Sequence, residues 1–150
     1  MDGGGVDYSQ QYERIGADLR GESFAGRDLT GAVLARSDLR GVDFRGATLK
    51  GAIIRGARLE GAVLTGCDLR ETELDGSDLA GADLRDTDLR GVRLYTMNLA
   101  GACMDGADLR SAQWLSLDHL KDISLIGASL DEDLPSLDLA AALARLVGQE

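Results

Sequence analysis

Aromatic residues, histidine, proline and cysteine are all scarce in this chain, and each scarcity narrows what it can be. Aromatics make up 4% of the 150 residues, thin for an ordinary globular core but suited to a narrow interior filled by smaller side chains. There is one histidine, His119, read as a surface helix residue. No serine, cysteine or carboxylate constellation stands outside a repeating pattern, so no enzyme, cofactor or metal site is expected. No apolar run is long enough to cross a membrane. Residues 1–5 carry neither an apolar stretch nor a basic signal region, which points to a cytoplasmic protein with a loose end.

What the chain has instead is a five-residue phrase repeated twenty times over residues 17–116 without insertion. Leucine holds fifteen of the twenty centres, and Phe24, Phe44, Ile54, Met104 and Trp114 hold the rest. Two positions earlier stands a small residue in most copies, with Glu22 and Arg27 as early exceptions. A period of five would scatter the leucines around a helix or send them to alternate faces of a strand. Fourteen copies end in glycine, which disfavours a continuous helix. The leucines share one interior if the chain turns a corner every five residues. Four sides then close a square, and each twentieth residue stacks about 4.8 Å along the axis.

Centre and small residues therefore point inward and the other three positions face water. Aspartate precedes the centre nine times and arginine follows it eight times. Because Arg36, Glu71, Asp86, Thr96, Ser111 and Ser116 occupy the glycine position, the corners are expected not to require positive φ. Cys67 falls inward and Cys103 outward on another face, which argues against a disulfide or a metal pair.

The A-D/N-L-x-x phrase resembles the pentapeptide repeat family. The resemblance implies an all-β solenoid, a right-handed quadrilateral β-helix of about five coils. It also implies non-catalytic work. Family members that bind bacterial DNA gyrase do so as acidic mimics of duplex DNA, protecting it from quinolones or toxins, and dimerise through their C-terminal ends. Two functions are thus expected: a rigid protein-interaction scaffold with an unidentified bacterial partner or, alternatively, a gyrase-binding DNA mimic. Direct nucleic-acid binding is disfavoured by the acidic balance.

The net charge of −10 is unevenly placed. Residues 17–116 hold sixteen acids against thirteen bases. Duplex DNA carries one charge per about 1.7 Å, so five coils of roughly 24 Å would need about fourteen negative charges to match it. The most acidic face carries Glu22, Asp43, Asp83, Asp86 and Asp105, against Arg45 and Arg85. The next face reads as a solvated ladder of surface pairs. A third has apolar outward residues, Val33, Ile53, Tyr95 and Leu115, with Val33 and Ile53 twenty apart and expected to stack. That strip is the candidate protein-binding patch.

Outside the repeats, residues 1–16 read as an arm whose Tyr8, Tyr12 and Ile15 cap the first coil. After Ser116 the phase fails. Residues 116–121 read as a short capped helix, and Ile123, Leu125, Ala128 and Leu130 resume the pattern one residue out of register. Residues 117–135, closed by Pro135, are expected to form a cap, with Trp114 as a plug beneath it. Residues 136–148 read as an amphipathic helix with Ser136 as N-cap and Leu139, Leu143, Leu146 and Val147 as its stripe. That stripe either folds back on the cap or pairs with a second copy in a homodimer.

Overall fold

The computed structural model describes residues 12–113 and 122–131. Residues 12–113 wind as a square solenoid. Residues immediately before the centres pair in parallel with residues twenty further on, in columns such as Asp18, Asp38, Arg58, Asp78 and Asn98. The first face carries centres Leu19 to Leu99, the second Phe24 to Met104, the third Leu29 to Leu109 and the fourth Leu34 to Leu94.

Each repeat spends its backbone donors in the same way. The N–H of Val42 donates to the carbonyl of Leu39 at 3.1 Å across the corner. Leu39 N–H donates forward to Arg58 O at 2.7 Å, Asp38 N–H backward to Ala17 O at 2.8 Å, and Gly41 N–H forward to Glu60 O at 3.1 Å. The corner residue between Leu39 and Val42 is left-handed, with φ of 67° at Gly41. Together with an ordinary φ at the preceding residue, that is the geometry of a type II turn.

The expectation of ordinary φ at the substituted corners is overturned. Arg36, Glu71, Asp86 and Ser111 all lie at φ between 57° and 61°. Stacking decides the matter: a corner of another shape would break the bonds to the coils on either side. Thr96 is the exception, because β-branching penalises the left-handed region most. There the chain makes a 3₁₀ turn, Leu94–Thr96, with Thr96 Oγ1 donating to Arg93 O at 2.9 Å.

The interior is continuous and filled. Centres from Leu19 to Leu109 are at most 6% exposed, and the small residues from Ala32 onward pack between them. Phe24 and Phe44 stack with ring centroids 5.4 Å apart, and Tyr12 meets Phe24 edge-on at 5.7 Å. Polar atoms at small positions are satisfied by backbone carbonyls: Thr72 Oγ1 donates to Leu49 O of the coil below at 2.7 Å, Ser77 Oγ to Ile54 O of the coil below at 2.5 Å, and Thr87 Oγ1 to Leu84 O of its own coil at 2.7 Å. Cys67 Sγ donates to Phe44 O at 2.8 Å, and burial pushes its thiol up to about 12. It and Cys103 are both free thiols.

The ends depart from the sequence reading. Residues 12–16 add a side to the fourth face: Glu13 bridges Val33, and Gly16 N–H donates to Ala35 O at 2.9 Å. Within the expected C-terminal cap, residues 122–131 instead continue the solenoid. Ser124 bridges Cys103 and Ser129 bridges Asp108, each 21 residues apart, and Ile123 and Leu125 are 2% and 5% exposed. The extra residue falls between Gln113 and Asp122, so the small and large positions keep their spacing. A helical C-terminal cap is not supported. Asp131 accepts from the Ser111 N–H at 2.8 Å, capping a left-handed corner. Trp114, Leu115, the proposed 116–121 helix with His119, and the 136–148 helix with Leu139, Leu143, Leu146 and Val147 lie outside the described residues.

The left-handed corners give a signed stability test. Glu71→Gly relieves a left-handed non-glycine residue and should stabilise by about 0.5–1 kcal/mol. Gly91→Ala should destabilise by about 1 kcal/mol, since its φ is 75° with open space around it. Gly106→Ala should cost about 0.5–1 kcal/mol more, because the new Cβ enters the space held by the Asp86 carboxylate, which must swing aside. Adding Asp86→Gly should remove that excess. Thermal unfolding of the variants reads all four, and a lower melting temperature for Glu71→Gly would refute the corner assignment.

Candidate interaction surfaces

The outward side chains are organised by a clamp that the Asp-x-Arg pattern builds into each repeat carrying it. The corner bond leaves one backbone N–H per repeat unspent, that of the residue after the centre. The aspartate before the centre accepts from it: Asp43 Oδ1 from Arg45 N–H at 3.0 Å, Asp68 from Arg70 at 3.1 Å, Asp83 from Arg85 at 3.1 Å. The same carboxylate takes a two-pronged grip from that arginine, with Nε on Oδ1 and Nη2 on Oδ2. At Asp38 and Arg40 the distances are 2.8 and 2.6 Å. Seven repeats carry the full clamp, on the first, second and third faces. Asp28, Asp78 and Asn98 keep the backbone part without an arginine.

Charge-assisted hydrogen bonds from the arginines hold the clamped carboxyls below the usual aspartate range, Asp18 and Asp38 to about 2. Clamps also link between coils. Arg70 Nε lies 3.4 Å from Asp88, and Arg90 Nε 3.6 Å from Asp108, making a ladder up the third face. These pairs are solvent-exposed, so each is weak alone. Their effect on surface charge is larger: ten of the sixteen repeat-body acids stand within ion-pair distance of an arginine.

The candidate acidic face is changed accordingly. Asp43 and Asp83 are clamped by Arg45 and Arg85. Asp105 accepts from Ser124 Oγ at 2.5 Å and Ile126 N–H at 2.9 Å, which lowers its pKa. Asp43 and Asp83 are separated in their column by Val63. Glu22 is exposed on the first coil and Asp86 occupies a corner.

The fourth face is built differently. Among the described residues it carries no clamp, because Val33, Ile53, Glu73 and Arg93 precede its centres. Val33 and Ile53 bridge each other and are half-buried. Ile15, on the added side, is 48% exposed and heads the same end of this face. The structure does not extend the apolar strip to Tyr95, which sits half-buried in the 3₁₀ turn; between them lie the ion pairs Arg55–Glu73 and, at 2.7 Å, Arg93–Asp75. The sequence reading placed Ile15 in an arm capping the first coil rather than on this face. No cluster of three or more metal-ligating side chains occurs among the described residues, and no helix there is long and apolar enough to cross a membrane.

A parallel β-solenoid with a five-residue side is a narrow class. The model of pentapeptide repeats matches segments 17–56, 43–79, 57–94 and 77–112, well over half of the chain. The chain belongs to the pentapeptide repeat family, whose right-handed β-helix it forms. It is similar to a pentapeptide repeat protein from Nostoc PCC 7120, at 29% identity over 83% of this chain and 89% of that one, TM-score 0.34. A second, from the Arabidopsis thaliana thylakoid lumen, is 28% identical over 87% and 77%, TM-score 0.33. QnrB1, a plasmid-mediated fluoroquinolone resistance protein, is 19% identical over 89% and 80%, TM-score 0.32. None of the curated proteins matches the chain.

The clamps carry a pH signature. A carboxyl whose pKa is lowered on folding stabilises fully above its unfolded value of about 3.9, and that contribution disappears as pH falls through the folded value. For Asp18 and Asp38 the loss should run from roughly pH 4 down to about 2. The melting temperature of Asp18→Asn/Asp38→Asn should therefore fall less steeply over that window than that of the parent. Parallel curves would mean that these clamps do not contribute to stability.

Proposed function

We propose that this chain is a rigid, non-catalytic protein-interaction scaffold. Pentapeptide repeat proteins are generally structural or interaction proteins rather than enzymes. The observation that carries the reading is the filled interior beneath an inter-coil ladder interrupted between Glu73 and Arg93, beside the 3₁₀ turn, which leaves outward side chains at fixed spacing for a partner to meet. Such a surface recognises by position, and association loses little conformational entropy because the side faces are already ordered.

The alternative, mimicry of duplex DNA toward gyrase, requires free negative charge along the rod. Ten of the sixteen carboxylates of the body stand within ion-pair distance of an arginine, and the body as a whole carries only three more acids than bases. The apolar end of the fourth face, with Val33 and Ile53, is the better candidate for a protein contact.

In a supercoiling assay with purified DNA gyrase, titration of this protein to low micromolar concentration should leave activity unchanged, with or without a quinolone. Inhibition or drug rescue would favour the mimic. For the scaffold, a proximity-labelling fusion expressed in bacteria should mark a set of proteins that Val33→Asp/Ile53→Asp loses. An identical set from both fusions would remove this face from consideration.

A further inference from the structure

The fourth face differs from the others by an omission, and the omission specifies a ligand. On the clamped faces, the N–H of the residue after the centre is taken by the chain's own aspartate or asparagine in most coils, and the vacant ones among the described residues, at Lys50, Glu60, Thr65 and Asp105, stand singly between satisfied coils. Where Val33 and Ile53 replace that aspartate, the N–H groups of Ala35 and Arg55 have no partner among the described residues. They line up one coil apart in the column that Ile15 heads, beside Val33 and Ile53, whose own column Glu13 heads. The repeat has thus exchanged a carboxylate for a hydrophobic group and left the carboxylate's donor unoccupied.

Cations flank the same end. Arg36 is in no ion pair among the described residues, and its side-chain stem lies over the corner of Gly56, next to Arg55. Arg14 stands over the Tyr12 ring, 5.9 Å from its centroid, likewise outside any ion pair. The charge of the whole chain is polarised in the same sense. Residues 1–56 hold eight acids and eight bases, so the net −10 arises entirely from residues 57–150. Among the described residues, 12–56 hold six acids and eight bases and the later coils thirteen acids and six bases, so an anionic partner is steered toward this end.

We propose that the N-terminal end of the fourth face docks an extended acidic segment of a partner protein, lying along the rod axis. Its apolar side chains rest on Ile15, Val33 and Ile53, and its carboxylates take the vacant N–H groups of Ala35 and Arg55 beside Arg36. A carboxylate there repeats the contact that Asp43 makes with Arg45 N–H, now between molecules. Four extended residues reach about 13 Å, enough to cross the three levels from Ile15 to Ile53, roughly 10 Å apart along the axis. The proposal rests on the scaffold reading and adds to it the chemistry of the partner.

The probe is a fluorescein-labelled peptide, Val-Asp-Val-Asp-Val, titrated with the full chain and followed by anisotropy. Its lysine counterpart, Val-Lys-Val-Lys-Val, is the control. Saturable binding of the acidic peptide is expected, at least tenfold tighter than the lysine peptide and weakened by salt. Arg36→Gly and Ile53→Asp should each weaken it at least fivefold. Arg36→Gly removes a left-handed arginine, so its melting temperature should not fall and lost binding cannot be assigned to unfolding. Equal affinity for both peptides, no binding up to millimolar concentration, or unchanged binding by both variants would overturn the proposal. If the peptide fails while Val33→Asp/Ile53→Asp still loses its labelled proteins in cells, the partner chemistry is wrong and the scaffold reading stands. If both fail, the scaffold reading of this face falls too.

Discussion

The structure depends on one backbone constraint, a left-handed residue every fifth position. That residue turns the chain through a corner and lets the N–H three residues past each centre reach the centre's carbonyl. Once every corner has this shape, centres stack on centres twenty residues apart and the inter-coil bonds form without further instruction. Ser111 and Arg36 show how binding the constraint is, since both adopt φ near 60° without glycine's freedom. Thr96 shows its limit. Its branched side chain diverts the corner into a 3₁₀ turn, and Tyr95 is presented on that irregular corner.

The same turn explains the composition of the surface. It leaves one N–H per repeat without a backbone acceptor, and a short acidic side chain two residues earlier has the reach to take it. Arginine at the donor position then grips the acid from above. Aspartate before the centre and arginine after it are therefore a local solution to turn chemistry. The solenoid is rich in charged residues yet nearly neutral along its body because each acid tends to bring its own base. A count of carboxylates by face overstates the field that a partner would meet.

Much of this was legible in the residues. The five-residue period, the inward pairing of small and large side chains, the inward position of Cys67 and the stacking of Val33 on Ile53 all follow from spacing alone. Three things did not. Corner φ was misjudged because charged residues at glycine positions were weighed singly, whereas stacking couples each corner to those above and below. The start was set too late because Arg14 stands where a leucine is expected, although residues 12–16 pair through backbone atoms that carry no sequence label. The slip before Ile123 looked like the end of the coil. Stacking requires only that Ile123 and Leu125 keep their own spacing, and an extra residue upstream does not disturb that. On the candidate surfaces, Asp43 and Asp83 read correctly as outward acids, but their engagement by Arg45 and Arg85 depends on side-chain geometry.

A repeat that satisfies its own donors and charges has little left to offer a partner. The informative positions on such a rod are then the ones where the self-satisfying pattern lapses, rather than those where charge is densest. On the clamped faces a competing carboxylate would have to displace an aspartate already held by two kinds of donor, with no gain in hydrogen bonds. At Ala35 and Arg55 it displaces only water, and the apolar contacts with Val33 and Ile53 are added to the gain. Single vacancies occur on the other faces, as at Thr65, but among the described residues it is on the fourth that they fall in consecutive coils, so that the favourable exchange can be made twice by one extended segment.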